Sequence, residues 1–317
     1  MNNNDSLWAS LSVMSALLCT AVGAALAKTL FPLVGVEAVT ALRVGFSAVL
    51  LACVTRPWRA RFDRGTVCNL VGYGAALGLM NILIYQAFSR IPLGIAIAIE
   101  VMGPLGIALA YSRRPLDMLW VGGAALGLFL LLPVRTGVSD IDPYGLLFAL
   151  GAAACWASYI VFGQRVSSLG TGKAVALGML VASLVAVPLG VSRASGSILE
   201  GPVLVSGFVV AILSSAVPYL LEMFAIRRLP QKVMGTLLSC APALGAFVGA
   251  LLLREKLTYL QWFSVLLIVC ASAGSAVCGR EKSRSAAWKL RQKDECPLRS
   301  YARGNGDQDD RTEAAGS

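Results

Sequence analysis

Long apolar stretches, separated by short polar segments, fill the chain almost continuously from residue 7 to residue 279. A helix of about 20 apolar residues is long enough to cross the hydrocarbon core of a bilayer, which is roughly 30 Å thick. Ten such stretches lie at roughly 7–27, 36–54, 67–88, 93–111, 117–134, 143–164, 174–191, 203–226, 233–253 and 258–279. The pattern predicts an all-α membrane protein with ten transmembrane helices and no extramembrane domain of foldable size.

The first span could also be a cleaved signal peptide, because GAALAK at 23–28 places small residues where signal peptidase cuts. The preceding MNNNDS has no Lys or Arg, whereas the start of a secretory signal is basic. We therefore expect residues 7–27 to be a permanent span.

Composition supports a membrane protein and excludes several classes of site. The chain is 57% hydrophobic and 14% charged, and a soluble domain carries roughly 25% charged residues. The eight cysteines form no CxxC pair and histidine is absent, so neither a disulfide framework nor a Cys/His metal site is expected. With no Walker A or GxSxG motif either, we expect no cofactor and no enzymatic activity.

The distribution of Lys and Arg predicts the orientation of the spans, since these residues are retained in cytoplasmic loops. With the N-terminus inside, the inner loops before the tail hold eleven of them and the outer loops hold six, namely Lys28, Arg90, Arg135, Arg193, Arg254 and Lys256. Both termini are predicted to be cytoplasmic. The net charge of +10 then reflects topology beside an anionic inner leaflet, and no nucleic-acid partner is expected.

An internal repeat relates the two halves of the chain. A shift of 138 residues superposes AFSRIP at 87–92 on AIRRLP at 225–230, and Pro104 on Pro242. Ten spans divide into five plus five, and an odd number of spans per repeat turns the copies in opposite directions. We predict repeats at 1–141 and 142–279, the inverted architecture of a secondary transporter, followed by a disordered cytoplasmic tail at 280–317.

Three ionisable residues lie well inside predicted spans: Arg43, Glu100 and Glu222. Each is costly in hydrocarbon and should face a cavity or a partner. Arg43 and Glu100 share a depth, on the order of 10 Å from the outer ends of their helices, so they form a packing ion pair or bind the carboxylate and the ammonium group of an amino acid. Glu222 is either an interfacial carboxylate balanced by Arg227 and Arg228 or part of a gate or proton step.

Neutral polar side chains could complete a substrate site within the spans. The candidates are Asn81, Tyr85, Trp156, Tyr159 and Tyr219, although Tyr and Trp near span ends are also typical interfacial anchors. Pro104 and Pro242 are predicted to break the fourth and ninth helices near mid-membrane, which would free backbone carbonyls to line a cavity.

The chain resembles the drug/metabolite transporter superfamily of the EamA type, and within it the inner-membrane threonine and homoserine exporters. The resemblance covers about residues 1–280 and rests on AKTLFPLVG at 27–35, VTALR at 39–43, RPWRARF at 56–62, GLMN at 78–81, PLGIAIAIE at 92–100, GPLGIAL at 103–109, SRRPLD at 112–117 and AILSSAVPYLLEMFAIRRLP at 211–230. Ala241-Pro242 departs from the Glu-Pro step of these exporters.

The resemblance implies an exporter of small amino acids in the plasma membrane, working by alternating access with proton antiport. The expected partners are a small-molecule substrate and the lipid bilayer, and a homodimer is compatible with the sequence. An exporter of another small metabolite or drug is the alternative within transport. A membrane receptor or scaffold that keeps a transporter fold is the alternative from another class.

Overall fold

The protein is described here by a computed structural model, which defines residues 3–59, 64–110, 115–131, 142–166, 169–194, 198–226, 228–229 and 231–278. Within these ranges the regular structure is helical. The α-helices are α1 (Asn3–Val34), α2 (Val36–Thr55), α3 (Arg64–Phe88), α4 (Leu93–Glu100), α5 (Met102–Ala110), α6 (Pro115–Leu131), α7 (Pro143–Arg165), α8 (Thr171–Ser192), α9 (Gly201–Ala211), α10 (Val217–Ile226), α11 (Gln231–Leu238), α12 (Ala241–Leu252) and α13 (Tyr259–Cys278). The predicted tail at 280–317, the loop at 132–141 and Arg227 lie outside the described residues.

Six helical stretches among the described residues are long and apolar enough to cross a membrane: Leu7–Val34, Val36–Thr55, Gly65–Phe88, Pro143–Arg165, Gly172–Ser192 and Gly201–Glu222. They match the predicted spans 1, 2, 3, 6, 7 and 8. Shorter apolar helices at Leu93–Ile107, Thr236–Leu252 and Tyr259–Gly274 occupy the positions of spans 4, 9 and 10, and α6 occupies that of span 5. The chain is a multi-pass, all-α membrane protein.

The first helix differs from its prediction at its C-terminal end. The sequence pattern ended the first span at residue 27 and placed Lys28 in a loop, whereas α1 continues to Val34. The reason is tertiary, because the Lys28 amine forms an ion pair with Glu255 and does not need to leave the helical bundle for water.

The eighth, fourth and ninth predicted spans are interrupted. A five-residue π-helical turn at Ile212–Ala216 separates α9 from α10. Val101 separates α4 from α5, and residues 239–240 separate α11 from α12. Pro104 and Pro242 each lie in the first turn of the helix that follows the break, where a missing N–H costs no intrahelical hydrogen bond.

Small residues bring the helices close together. α2 packs along α8, and α3 packs along α7 and α8. A β-carbon on Gly190 of α8 would overlap the backbone oxygen of Glu37 in α2, so only glycine permits this approach. α1 packs on α10 and α12, and α4 packs on α7 and α12, which leaves a cavity among these elements.

Candidate functional site

A cavity of about 300 Å³ lies within the bundle, bounded by α1, α2, α3, α4, α7, the π-helical turn, α10, α11 and α12. Its wall is mostly aliphatic and aromatic. The polar side chains that line it are Thr20, Arg43, Asn81, Tyr85, Glu100, Trp156, Ser214 and Glu222. A small, mainly apolar cavity with a few convergent polar groups is typical of a small-molecule site.

Arg43 is held in place by three neighbours. Its Nε donates a hydrogen bond to Ser214 Oγ at 2.9 Å, and one terminal nitrogen donates to Asn81 Oδ1. Its guanidinium carbon lies 4.9 Å from the ring centroid of Tyr85, a cation–π contact. Asn81 is itself oriented by a hydrogen bond of 2.7 Å from its Nδ2 to the Leu77 carbonyl, so the guanidinium has a defined plane.

Arg43 and Glu100 line the same cavity without forming an ion pair. Among the described residues the ion pairs within 4.0 Å are found elsewhere, so the packing-pair interpretation of Arg43 with Glu100 is not what the structure contains. Glu100 is the last residue of α4 and is 9% exposed. Its carboxylate has no described hydrogen-bond partner and is available to a solute in the cavity.

Glu222 also lines this cavity, from α10. The sequence suggested Arg227 and Arg228 as its counterions. Arg228 is instead engaged with Phe224, whose carbonyl accepts a hydrogen bond of 3.2 Å and whose ring centroid lies 3.8 Å from the guanidinium carbon. Arg227 is outside the described residues. The cavity thus contains one guanidinium and two carboxylates.

Six of the eight sequence-predicted site residues line the cavity, and two do not. Tyr159 stacks on Tyr73 with ring centroids 4.6 Å apart, and Tyr219 packs against the cluster of buried apolar side chains from α2, α3 and α8. Ser214 was missed, because a serine in an apolar helix is unremarkable by itself. The signal that could have found it is SSAVP at 214–218, where a proline disturbs the helix around Ser214.

Ion pairs lie at one end of the bundle, where α1, α3, α8 and α12 end. Lys28 Nζ lies 2.7 Å from Glu255 Oε1 and donates to the Ile91 carbonyl at 3.0 Å. The second oxygen of Glu255 accepts the backbone N–H of Leu93 at 2.9 Å and so caps the start of α4.

Two further ion pairs lie at the same end and are more exposed. Arg90 binds Asp142 at 2.9 Å, and Arg193 lies 3.9 Å from Glu37. The hydrogen bond from Arg90, followed by the one from the Tyr144 backbone N–H, lowers the pKa of Asp142 below its ordinary value.

Comparison with known proteins identifies the family. Residues 143–277 match the model of the EamA-like transporter family. The threonine/homoserine exporter RhtA of Escherichia coli K12 is 47% identical over 262 residues, covering 83% of this chain and 89% of that protein. The protein of the same name in Salmonella typhimurium LT2 is 45% identical over 260 residues, covering 82% and 88%. The chain belongs to the EamA-like transporter family.

This EamA-like chain also resembles a solved structure. A crystal structure of a protein aligns with a TM-score of 0.60 at 19% identity, covering 86% of this chain and 98% of that one, and at this identity the likeness concerns the fold alone. The named relatives are exporters of a transporter family, so the expectation that the chain is a transporter and not an enzyme is confirmed.

Proposed function

We propose that this protein exports small amino acids, threonine and homoserine among them, across the plasma (inner) membrane by alternating access coupled to proton antiport. The observation that carries the proposal is the cavity lined by the guanidinium of Arg43 and by the carboxylates of Glu100 and Glu222, with no described ion pair among the three. The relatives named threonine/homoserine exporter RhtA supply the substrate class.

The charges of the cavity are complementary to an amino acid zwitterion. The free N–H groups of the planar Arg43 guanidinium donate to the substrate carboxylate, a geometry that guanidinium groups prefer. Glu100 receives the ammonium group. Both contacts replace water lost from the charged ends of the substrate, and the aliphatic wall accommodates a short side chain.

Charge balance provides a physical reason for proton antiport. One guanidinium balances one of the two carboxylates, and an uncompensated negative charge in a low-dielectric cavity is strongly unfavourable. A proton on Glu100 or Glu222 neutralises the excess charge, whereas a zwitterionic amino acid adds no net charge to the cavity. Because the ammonium group of the substrate and a proton compete for the Glu100 carboxylate, binding of one favours release of the other.

The packing of the helices supports two inverted repeats of five spans. Shifting α4 (Leu93–Glu100) by 138 residues gives the bounds of α11 (Gln231–Leu238). α2 packs on α8, its equivalent under the repeat, and α4 packs on α12, which belongs to the equivalent ninth span. α1 packs on α10 and α12 just as α7 packs on α3 and α4.

Alternating access requires contacts between the repeats that can open at one side. The three ion pairs described above each join a residue of 1–141 to one of 142–279. With the N-terminus cytoplasmic they lie at the outer face, so this conformation is closed to the outside. A homodimer remains a separate prediction from the sequence.

Counterflow of radiolabelled threonine into proteoliposomes tests the proposal. We expect exchange with internal threonine and homoserine, loss of exchange in Arg43→Ala and Glu100→Gln, and normal exchange in Glu200→Gln, which removes an exposed carboxylate outside the cavity and outside the described ion pairs. Glu222→Gln should retain exchange but lose its acceleration by an imposed proton gradient. Exchange with other solutes only would favour the metabolite or drug exporter, and absence of all flux would contradict a transporter.

A further inference from the structure

The π-helical turn at Ile212–Ala216 has a local cause in the sequence. The N–H of Val217 donates to the carbonyl of Ile212, five residues back, where an α-helix would use the residue four back. Pro218 follows directly and has no N–H to donate. In an α-helix its ring would also clash with the carbonyl of Ser214, and the wider π turn relieves this clash.

The turn gives two adjacent serines different environments. Ser214 lines the cavity, whereas Ser215 is buried outside it and its hydroxyl has no hydrogen-bond partner. The Ser214 hydroxyl donates its proton to the Val210 carbonyl at 2.7 Å. Since a hydroxyl has one proton and two lone pairs, the lone pairs of Ser214 are left to accept the Nε hydrogen of Arg43 at 2.9 Å.

The two hydrogen bonds to Arg43 divide the guanidinium into a fixed side and a free side. Ser214 holds Nε and Asn81 holds one terminal nitrogen. The other terminal nitrogen has no described protein partner. A carboxylate accepts two hydrogen bonds from a guanidinium when both groups lie in one plane. Because Ser214 and Asn81 fix the plane of the Arg43 guanidinium, its free N–H groups are already oriented for a carboxylate.

We propose that Ser214 is a positioning residue that orients Arg43 for the substrate carboxylate, with Pro218 and the π turn as the device that places it. The inference rests on the proposed function, in which Arg43 binds that carboxylate. Ser214 comes from the second predicted repeat, while Arg43 and Asn81 come from the first. The orientation of Arg43 therefore depends on how the two repeats are packed.

The test compares threonine with threoninol, in which a hydroxymethyl group replaces the carboxylate, as competitors of threonine counterflow. In Ser214→Ala we expect the half-inhibitory concentration of threonine to rise about tenfold, the effect of one hydrogen bond to a charged group. The value for threoninol should stay within about twofold of wild type, because it does not use Arg43. Ser215→Ala is the matched control, and it should match wild type with both competitors.

The possible results separate this inference from the function on which it rests. An equal rise in the half-inhibitory concentrations of threonine and threoninol in Ser214→Ala would overturn the inference, since a general structural defect affects the binding of both. A rise in the half-inhibitory concentration of threonine as large in Ser215→Ala as in Ser214→Ala would overturn the inference as well. Wild-type protein that exchanges other solutes but not threonine would instead contradict the proposed substrate, and the role of Ser214 with it. A thermal midpoint for each variant excludes misfolding as the cause.

Discussion

The Lys28–Glu255 pair permits a sharp test of what stabilises the end of the bundle at which α1, α3, α8 and α12 end. Glu255→Gln keeps the size of the side chain and an oxygen for the Leu93 N–H, but it removes the negative charge. The Lys28 side chain is only 22% exposed and that of Glu255 only 11%. The substitution therefore leaves an ammonium group largely shielded from water with no counterion.

The expected magnitude follows from this burial. Removing one partner of a fully buried ion pair costs about 3–5 kcal/mol. Lys28 retains some water and the Ile91 carbonyl, so we expect a smaller loss of about 2–4 kcal/mol. With about 2–4 °C for each kcal/mol, the midpoint of thermal unfolding should fall by roughly 4–16 °C.

In the assay, the purified protein in detergent is heated to a series of temperatures. Size-exclusion chromatography then measures how much folded protein remains at each temperature. Asp142→Asn is the matched control, because it also changes a carboxylate to an amide in an ion pair at the same end, but that pair is 42% and 30% exposed. Exposed pairs contribute little, so this midpoint should stay near wild type.

A double variant tests the physical reason. Adding Lys28→Met to Glu255→Gln removes the orphaned charge, and the midpoint should recover part of the loss. A double variant less stable than Glu255→Gln would refute the reasoning, and so would equal shifts in Glu255→Gln and Asp142→Asn. Either result would mean that water already screens this pair.

Three further outcomes are expected. Gly23→Ala should weaken threonine competition, because its β-carbon would lie 2.8 Å from the Ser214 backbone nitrogen and displace the π turn; unchanged competition would show that α1 yields without moving the turn. The Arg90 hydrogen bond lowers the pKa of Asp142, so this carboxylate stabilises the fold above its unfolded pKa of about 3.9 and loses that effect as pH falls through its folded value. The difference in thermal midpoint between wild type and Asp142→Asn, small at no more than about 2 °C for an exposed pair, should therefore be constant from about pH 8 to 5 and shrink below; a difference that grows towards acid pH would contradict the assignment. Trp156→Ala should enlarge the cavity, so leucine should compete in counterflow with the variant better than with wild type, and an unchanged preference would indicate that the indole does not limit substrate size.

The amino-acid sequence by itself determined the class of protein and the charged groups of the candidate site. Apolar stretches of membrane length are visible without a structure, and six of them are long helices here. Arg43, Glu100 and Glu222 could be selected because a charge in hydrocarbon is too costly to be incidental. All three line one cavity.

Only the tertiary structure decided which side chains face that cavity and what each one contacts. Hydropathy reports the depth of a residue and not its direction around the helix, so it could not separate Tyr85, which lines the cavity, from Tyr219, which packs elsewhere. The role proposed for Ser214 depends on a hydrogen bond with Arg43, which is 171 residues away in the sequence. The sequence pattern placed Lys28 in a loop, because its partner Glu255 lies 227 residues later and only the folded structure brings the two together. Contacts at such separations depend on how helices pack, which local periodicity does not encode.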